Sequence, residues 1–551
     1  MESNTMRSLL VCAVVVSGLA QEPARVGVGA VQRRLTLQEA VERALKNNLE
    51  IELERTSVVS AHNLLHAARG AYDGMFRWQP GYERRDTPTS SVLFGANGKL
   101  AERFHNQNFS YQQRLRWNGA SFHAGFDNSR QSTTNPFVSL NPFTQSRLVL
   151  GFTQPLMRNR LIDRERSDIA IRSKNIGVSR IDLELRAVDV AARAELAYWD
   201  LVAAREDVVV KADGVTWGRE QLARSRRMID SGTLAPVELA AAEAELERRI
   251  DSYHASVGVV TEVENALKTL IASGKDDEIW NEAIIPTERR DPAPPGAEEL
   301  QRAVAVAMEK RLEFRRLGLQ GEANQVRKQA AADRLKPQVD LVGAWVNAGL
   351  AGTEPAGAGN NLFAQSNAIT LQRINELSAR AGLAPVTVPS FGGTPPGLVG
   401  GYGSVLSGVF GLNYQTFQVG LSVDWNVRNH AAEAEVSEAV VTERRLKLQR
   451  AQLEQGIAAQ VRNALQAIET ARQRIAAAEA SARAAKEKLD SETRLFQNGE
   501  STNFFVLTRQ NEYTDSARRI VVSRLELNKA IARLRLAMGE TLESHRISVA
   551  P

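Results

Sequence analysis

The stretch Arg227-Met228-Ile229-Asp230-Ser231-Gly232-Thr233-Leu234-Ala235-Pro236-Val237-Glu238 decides how this chain is read. An alanine-rich helical pattern runs into it and another runs out. Glycine reaches left-handed backbone at no steric cost, which suits Gly232 to end a helix. Proline fixes φ as a first helical turn needs, which suits Pro236 to begin one. The stretch therefore predicts a tight turn between two antiparallel helices. A copy follows 267 positions later, as Arg494-Leu495-Phe496-Gln497-Asn498-Gly499-Glu500-Ser501-Thr502-Asn503-Phe504-Phe505. Arg, a hydrophobic pair, Gly and a fresh helix start recur in order. Two tips at matching places predict a chain built by duplication.

Outward from the tips, residues 162–230 and 430–497 carry long helical patterns without proline. At 1.5 Å per residue each would be about 100 Å long. Ile181, Leu185, Val188, Ala192, Leu196 and Trp199 follow 3-4 spacing, as do Leu446, Leu453, Ile457, Val461, Ala464 and Ile468. This is coiled-coil-like patterning. Return helices over 236–272 and 503–538 are each expected to end at a glycine, Gly274 and Gly539. Each half also opens alike. Thr36-Leu37-Gln38-Glu39 reads as a capping box before a helix to about Gly70. Leu300, Ala303, Val304, Ala307, Leu312 and Glu313 match Leu37, Ala40, Val41, Ala44, Leu49 and Glu50 at a constant offset of 263, on a helix to about Lys336. The expected organisation is a signal peptide over 1–20, a first repeat over 21–274 and a proline-bearing linker over 275–297. A second repeat over 298–540 and a tail over 541–551 complete it.

Between opener and long helix the period changes to two. Phe109, Tyr111, Gln113, Leu115 and Trp117, mostly apolar or aromatic, alternate with Ser110, Gln112, Arg114 and Arg116, and Phe417, Val419, Leu421, Val423 and Trp425 alternate with Gln418, Gly420, Ser422 and Asp424. Segments of about 10 alternating residues with aromatic ends are the pattern of a transmembrane β-barrel strand. Trp78, Trp117, Trp345 and Trp425 are placed for an interfacial girdle. Asn118-Gly119 predicts a tight hairpin turn. Four strands are expected in the first half (about 75–85, 107–117, 120–130 and 146–156) and two in the second (about 338–347 and 413–425). Residues 348–412 hold 13 of the 38 glycines and four charged residues, and read as a long loop with one short helix near 366–381.

Hydrophobic content of 43% with 24% charge marks an ordered chain. A net charge of +5 on 551 residues gives no footprint for nucleic acid. The apolar run Leu9 to Ala20 after Arg7 has the layout of a secretory signal peptide. The only cysteine, Cys12, lies within it, so the exported chain carries no thiol, disulfide or acyl anchor. No later apolar run is long enough for a membrane helix, so membrane entry requires a barrel. No catalytic, cofactor or metal motif stands out. His62 and His66 are four apart on a helix but lack a third ligand nearby.

The order of helix, strands, very long helix, tip and return helix, given twice behind an export signal, resembles the TolC-like outer membrane efflux protein family over nearly the whole mature chain. The resemblance is carried by Leu35-Thr36-Leu37-Gln38-Glu39-Ala40, by Phe152-Thr153-Gln154-Pro155-Leu156, by Ala197-Tyr198-Trp199-Asp200-Leu201-Val202-Ala203-Ala204-Arg205-Glu206 and by both tips. Ala464, Ile468, Ala471 and Arg472 repeat Ala197, Leu201, Ala204 and Arg205 at offset 267. The resemblance implies a mixed fold: duplicated very long helical hairpins forming a periplasmic tunnel, and strands of one shared trimeric barrel. A few strands cannot close a barrel alone, so lipid itself demands oligomerisation. Four strands per chain would give about 12 in a trimer and six about 18; the Asn118-Gly119 hairpin decides between them.

The implied function is a passive exit duct of a tripartite efflux or type I secretion system. It would span the outer membrane, extend into the periplasm, and work with a periplasmic adaptor and an inner membrane pump. No enzyme activity is expected. The tips Gly232, Thr233, Leu234 and Gly499, Glu500, Ser501 would dock the adaptor. The constriction would involve Glu238, Phe505 and Thr508. Family gates often carry acidic residues just past the tips; Glu238 fits, whereas Phe505 and Thr508 depart from that pattern, and Ser501 stands in place of a basic latch. An apolar ring of Phe505 could gate by dewetting, unless Phe504 and Phe505 pack between helices. The alternative reading of the whole chain is an exported coiled-coil or adhesin-like protein with a β domain.

Overall fold

A computed structural model describes residues 25–29, 31–90, 98–135, 137–232, 235–288, 300–355, 362–386 and 394–547. The expected signal peptide, part of the linker and the last four residues lie outside these. In chain order the elements are β1 (Gln32–Leu35), α1 (Leu37–Asn47), α2 (Leu49–Arg69), β2 (Met75–Pro88), β3 (Lys99–Arg114), β4 (Ser121–Thr133), β5 (Phe143–Pro155), α3 (Arg164–Asp230), α4 (Val237–Ile271) and β6 (Ala283–Pro286). Then come α5 (Leu300–Lys310), α6 (Leu312–Arg334), β7 (Gln338–Gly352), α7 (Leu362–Arg380), α8 (Tyr402–Phe410), β8 (Gln415–Asp424), α9 (His430–Gln497), α10 (Asn503–Met538) and α11 (Thr541–Ser544). Helices of the two halves match closely: α3 has 67 residues and α9 has 68, α4 has 35 and α10 has 36.

These elements divide into two compact units. The first holds Met1–Ala61, Ile176–Gln320 and Arg445–Pro551 and is almost wholly helical. Each opener, expected as one helix, is two. Asn48 breaks the first. Its backbone is extended, its carboxamide oxygen accepts from the Glu50 amide at 2.9 Å, and its nitrogen donates to the Leu270 carbonyl at 3.2 Å. Arg311 breaks the second and reaches the Leu536 carbonyl at 3.2 Å. Of the capping box only one half forms: the Thr36 hydroxyl accepts from the Glu39 amide, while Glu39 turns to Arg43. Two strands were not legible beforehand. β1 and β6 pair in parallel, burying Leu35 and Ile284.

The long helices bury alanine. On α9 the expected stripe is buried at Ile457, Val461, Ala464 and Ile468 and continues to Ala471, while Leu446 and Leu453 are half-buried. On α3 the expected Ile181, Ala192 and Trp199 are buried, but the fully buried line runs beside them, through Leu183, Ala187, Val190, Ala194, Tyr198 and Leu201. Leu185, Val188 and Leu196 are only half-buried. The cause is that α3 is packed from more than one side, so small residues lie where backbones approach closely. Tyr198 is fully buried there. Its hydroxyl donates to the Leu35 carbonyl at 3.1 Å and accepts from the Glu288 amide at 3.2 Å, tying α3 to β1 and to the chain beyond β6.

The second unit, His62–Asn175 and Gly321–Arg444, contains one antiparallel sheet in the order β2-β3-β4-β5-β7-β8. All six expected strands are present, most of them longer than the pattern indicated. Asn118 and Gly119 turn between β3 and β4 with φ of 48° and 68°, as the hairpin required. Register runs unbroken across the sheet. One row is Trp78, Phe109, Phe126, Leu148, Asn347 and Gln415, and the next on the same face is Phe76, Tyr111, Ala124, Leu150, Trp345 and Phe417. That face is apolar over most of its area. The opposite face carries Gln112, His123 and Gln418 in one row, and an Arg147–Asp127 pair at 3.0 Å in another.

The expected loop after β7 holds α7 and a second helix that was not foreseen, α8. This short helix lies on the apolar face. There it covers polar residues: Tyr402 donates to Asn128 at 3.0 Å, Ser146 donates to the same Asn128 oxygen at 2.5 Å, and the Asn347 amide donates to the Val409 carbonyl. A Cβ at Gly349 would strike the Val405 carbonyl, so only glycine lets α8 approach.

Burial pushes the Tyr198 hydroxyl up to about 12 from its ordinary value near 10. A raised value stabilises the fold below pH 10 and loses that contribution as pH rises towards 12. We expect the thermal midpoint to fall through this window, and Tyr198→Phe to flatten the fall. At neutral pH the variant should lose about 1–2 kcal/mol, the worth of a buried hydrogen-bonded hydroxyl. An unchanged alkaline profile would overturn the assignment.

Candidate functional site

The two turns at the ends of the helical hairpins have related geometry. At the first, the Ser231 amide donates to the Arg227 carbonyl and the Gly232 amide to that of Ile229. Gly232 has φ of 75° and sits in open space. Thr233 and Leu234 lie outside the described residues. Pro236 precedes α4 rather than belonging to it, and Glu238 is half-buried in the first turn. At the second, Glu500 donates to the Leu495 carbonyl and Gly499 to that of Phe496, the paired bonds of a Schellman motif, with Gly499 at φ of 79°. Both glycines are required by a left-handed backbone and not by crowding.

The second turn is braced. The Ser501 hydroxyl donates to the Glu492 carboxylate, which Arg509 approaches at 3.9 Å. Phe496 at the end of α9 and Val506 and Leu507 at the start of α10 are buried. Phe504 and Phe505 are not: they are 66% and 47% exposed, edge to face at 5.7 Å. The alternative in which these rings pack between the chain's own helices is not what the single chain shows, because Val506 and Leu507 take the buried positions. The Thr508 hydroxyl donates back to the Phe504 carbonyl at 2.8 Å.

Beside the turns runs a line of polar contacts that sequence reading missed. Gln221 donates to the fully buried Asn503 at 2.5 Å, joining α3 to α10. Arg249, on α4, donates to the Gly214 carbonyl at 3.0 Å, to Gln510 at 3.1 Å and to Asn511 at 3.0 Å, and pairs with Glu245 at 2.8 Å. Further along, Arg518 meets Asp207 at 3.0 Å and Lys529 meets Asp200 at 2.5 Å. Burial raises the Glu245 carboxyl, but hydrogen bonds from Arg249, Arg248 and Asn511 outweigh it and hold the group below its usual range. The available signal was the seven-residue spacing of Asp200, Asp207, Gly214 and Gln221 along one helix face.

In the other unit, the helix ends nearest the sheet line a cavity of about 900 Å³. Its lining mixes alanines with charges of both signs; Arg172 pairs with Asp168 along α3 at 2.7 Å, and Arg334 of α6 pairs with Glu435 of α9 at 2.6 Å. Among the described residues no group of three His, Asp or Glu side chains could hold a metal ion. No described helix is long and apolar enough to cross a membrane.

Removing Arg249 would leave the Gly214 carbonyl and the amides of Gln510 and Asn511 without their shared donor. We expect Arg249→Met to cost about 3–5 kcal/mol, as for a broken buried ion pair, and Gln221→Ala about 1–3 kcal/mol. Thermal unfolding of the detergent-extracted protein measures both. Equal, negligible shifts would show that the line contributes nothing.

Comparison with known proteins follows this geometry. Residues 397–540 match the family model described as outer membrane efflux protein. No curated protein sequence matches the chain. Solved structures match over nearly its whole length. The CmeC outer membrane channel of Campylobacter jejuni is 15% identical, with 92% of this chain and 86% of that one covered at a TM-score of 0.60. The outer membrane protein VceC of Vibrio cholerae is 12% identical, with 91% and 96% covered at 0.58. The MtrE outer membrane channel of Neisseria gonorrhoeae, solved in an open state, is 14% identical, with 92% and 89% covered at 0.55.

Proposed function

We propose that this chain, whose fold is that of the TolC-like outer membrane channels and whose residues 397–540 belong to the outer membrane efflux protein family, is the exit duct of a tripartite export system. One observation carries the reading. A single chain combines a two-faced sheet with open edges and duplicated helical hairpins, and neither feature is complete alone. Three copies would share one barrel in the outer membrane and one helical tunnel in the periplasm. The duct is a passive conduit; a separate inner membrane pump supplies the energy.

The tips are the periplasmic entrance. Gly232, Thr233 and Leu234, with Gly499, Glu500 and Ser501, form the surface on which an adaptor's helices dock. Glu238, Phe505 and Thr508 shape the constriction. Phe505 is solvent-exposed in the single chain, so the ring needs a partner in the assembly. Three copies about a common axis supply one another. A ring of apolar side chains closes a narrow pore by making it unfavourable for water.

Reconstitution into planar bilayers tests the reading. Stepwise conductance is expected from the trimer, and a trimer that never conducts overturns the duct. Phe505→Ala should raise the conductance of the closed state severalfold. An unchanged conductance would remove the apolar gate while leaving the duct intact.

A further inference from the structure

We infer that the wall of this channel has eighteen strands, six from each of three copies, with the β3–β4 hairpin inside it. The inference rests on the duct reading above and adds the architecture of the pore.

The sheet ends on β2 at one side and β8 at the other, and among the described residues neither outer edge is paired. In hydrocarbon each unpaired backbone group costs several kcal/mol, so both edges need a strand. Every neighbouring pair in the sheet is antiparallel, and six is even. Hence β2 and β8 run in opposite directions. Rotation about a membrane-normal axis preserves strand direction. So β8 of one copy meets β2 of the next in the antiparallel sense that the rest of the sheet uses.

The faces agree as well. Phe417, Val419, Leu421 and Val423 stand exposed on β8, as Phe76, Trp78 and Tyr82 do on β2, all on the apolar face. On the polar face, Asp424 ends β8 and Arg77 is the third residue of β2. Both belong to the end of the sheet that adjoins the helices, and opposite charges there favour the seam. A second copy of this chain is therefore the occupant of both edges.

The hairpin belongs to the wall because it is paired along both sides. β3 meets β2 from Met75↔Gln112 to Pro88↔Lys99, and β4 meets β5 from Ser121↔Thr153 to Gln131↔Phe143. Its apolar residues Phe109, Tyr111, Phe122 and Phe126 lie in rows with those of the other strands. A hairpin folded out into water would expose that face and leave β2 to pair with β5, giving a twelve-stranded wall. Barrel diameter grows roughly linearly with strand number, so eighteen strands give a bore about half again as wide as twelve. Such a wall encloses an open aqueous passage, which places the restriction on cargo outside the sheet.

Disulfide trapping in the assembled trimer tests this. Cys12 is the only native cysteine, so engineered pairs report cleanly. Facing residues of antiparallel strands lie within disulfide reach. Arg77→Cys with Ser110→Cys reports β2 against β3, and Arg77→Cys with Val149→Cys reports β2 against β5. The first pair is expected to close and the second to stay open; the reverse overturns the eighteen-stranded wall. For the seam, Gln418→Cys is combined in turn with Arg77→Cys, Gln79→Cys, Gly81→Cys and Glu83→Cys. A ladder up to covalent trimer is expected for one register or two adjacent ones. Its absence at all four in an intact trimer overturns the seam. These readouts report pairing and not conduction. A failed pattern leaves the duct standing, whereas a trapped trimer that does not conduct overturns only the duct.

Discussion

A strand in lipid must give both backbone edges to other strands, and this constraint governs the molecule. Inside the sheet it is met from β2 through β8 without a gap. Among the described residues it is not met at the two edges; β2 carries Pro80, Pro88 and several charges along its edge, whereas β8 makes no provision for water. Soluble sheets blunt an edge with charge, proline or a covering segment. β8 has none of these between Gln415 and Val423, and its apolar side chains are more than half exposed. Such an edge is stable only when another strand covers it. The need for further copies of the chain therefore arises in the sheet, before anything is asked of the helices.

The helical unit meets a different demand. Alanine-rich helices approach closely but offer little side-chain area, so apolar burial per residue is modest. Buried polar contacts then fix which helix meets which. Glu264 is the clearest case. It is 1% exposed, with Arg25 and Lys268 each at 2.8 Å, and Lys268 also donates to the Trp280 carbonyl. A buried carboxylate is tolerable only when paired this thoroughly. Its partners are Arg25 ahead of β1, Arg205 on α3 and Lys268 on α4, so it fixes the segment before β1 against the first hairpin. Tyr198 acts in the same way with a neutral group.

How much was legible follows from the range of each interaction. Local signals were read well. The tips at Gly232 and Gly499, the Asn118-Gly119 turn and the extents of α9 and α10 depend on backbone preference and periodicity within a few residues. Six strands were readable from alternation, though their ends were placed short, because a strand continues wherever a neighbour offers hydrogen bonds. The breaks at Asn48 and Arg311 were not readable, since both depend on carbonyls more than 200 positions away. The pairing of β1 with β6 is parallel and equally distant. α8 was missed because its glycine-rich sequence is a poor helix on its own; the apolar face of the sheet holds it in place. Of the candidate site, the turns were visible and the polar line beside them was not. Gln221 and Asn503 look like ordinary surface residues until two helices bring them together.

The difference between the tips follows from the same reasoning. After the first turn Glu238 is half-buried, whereas after the second the exposed group is Phe505. A duplicated chain places both kinds of turn at one end of its hairpins, so a closed ring of three copies would alternate them. Charge at one and aromatic surface at the other act on water in opposite ways. The first holds water and the second expels it when the ring narrows. Closure would then depend on the aromatic ring contracting until water leaves. The bracing of the second turn by Glu492, Ser501 and Arg509 fits that demand. Such a gate needs its apolar groups held in one orientation as the ring narrows, and those contacts position the start of α10.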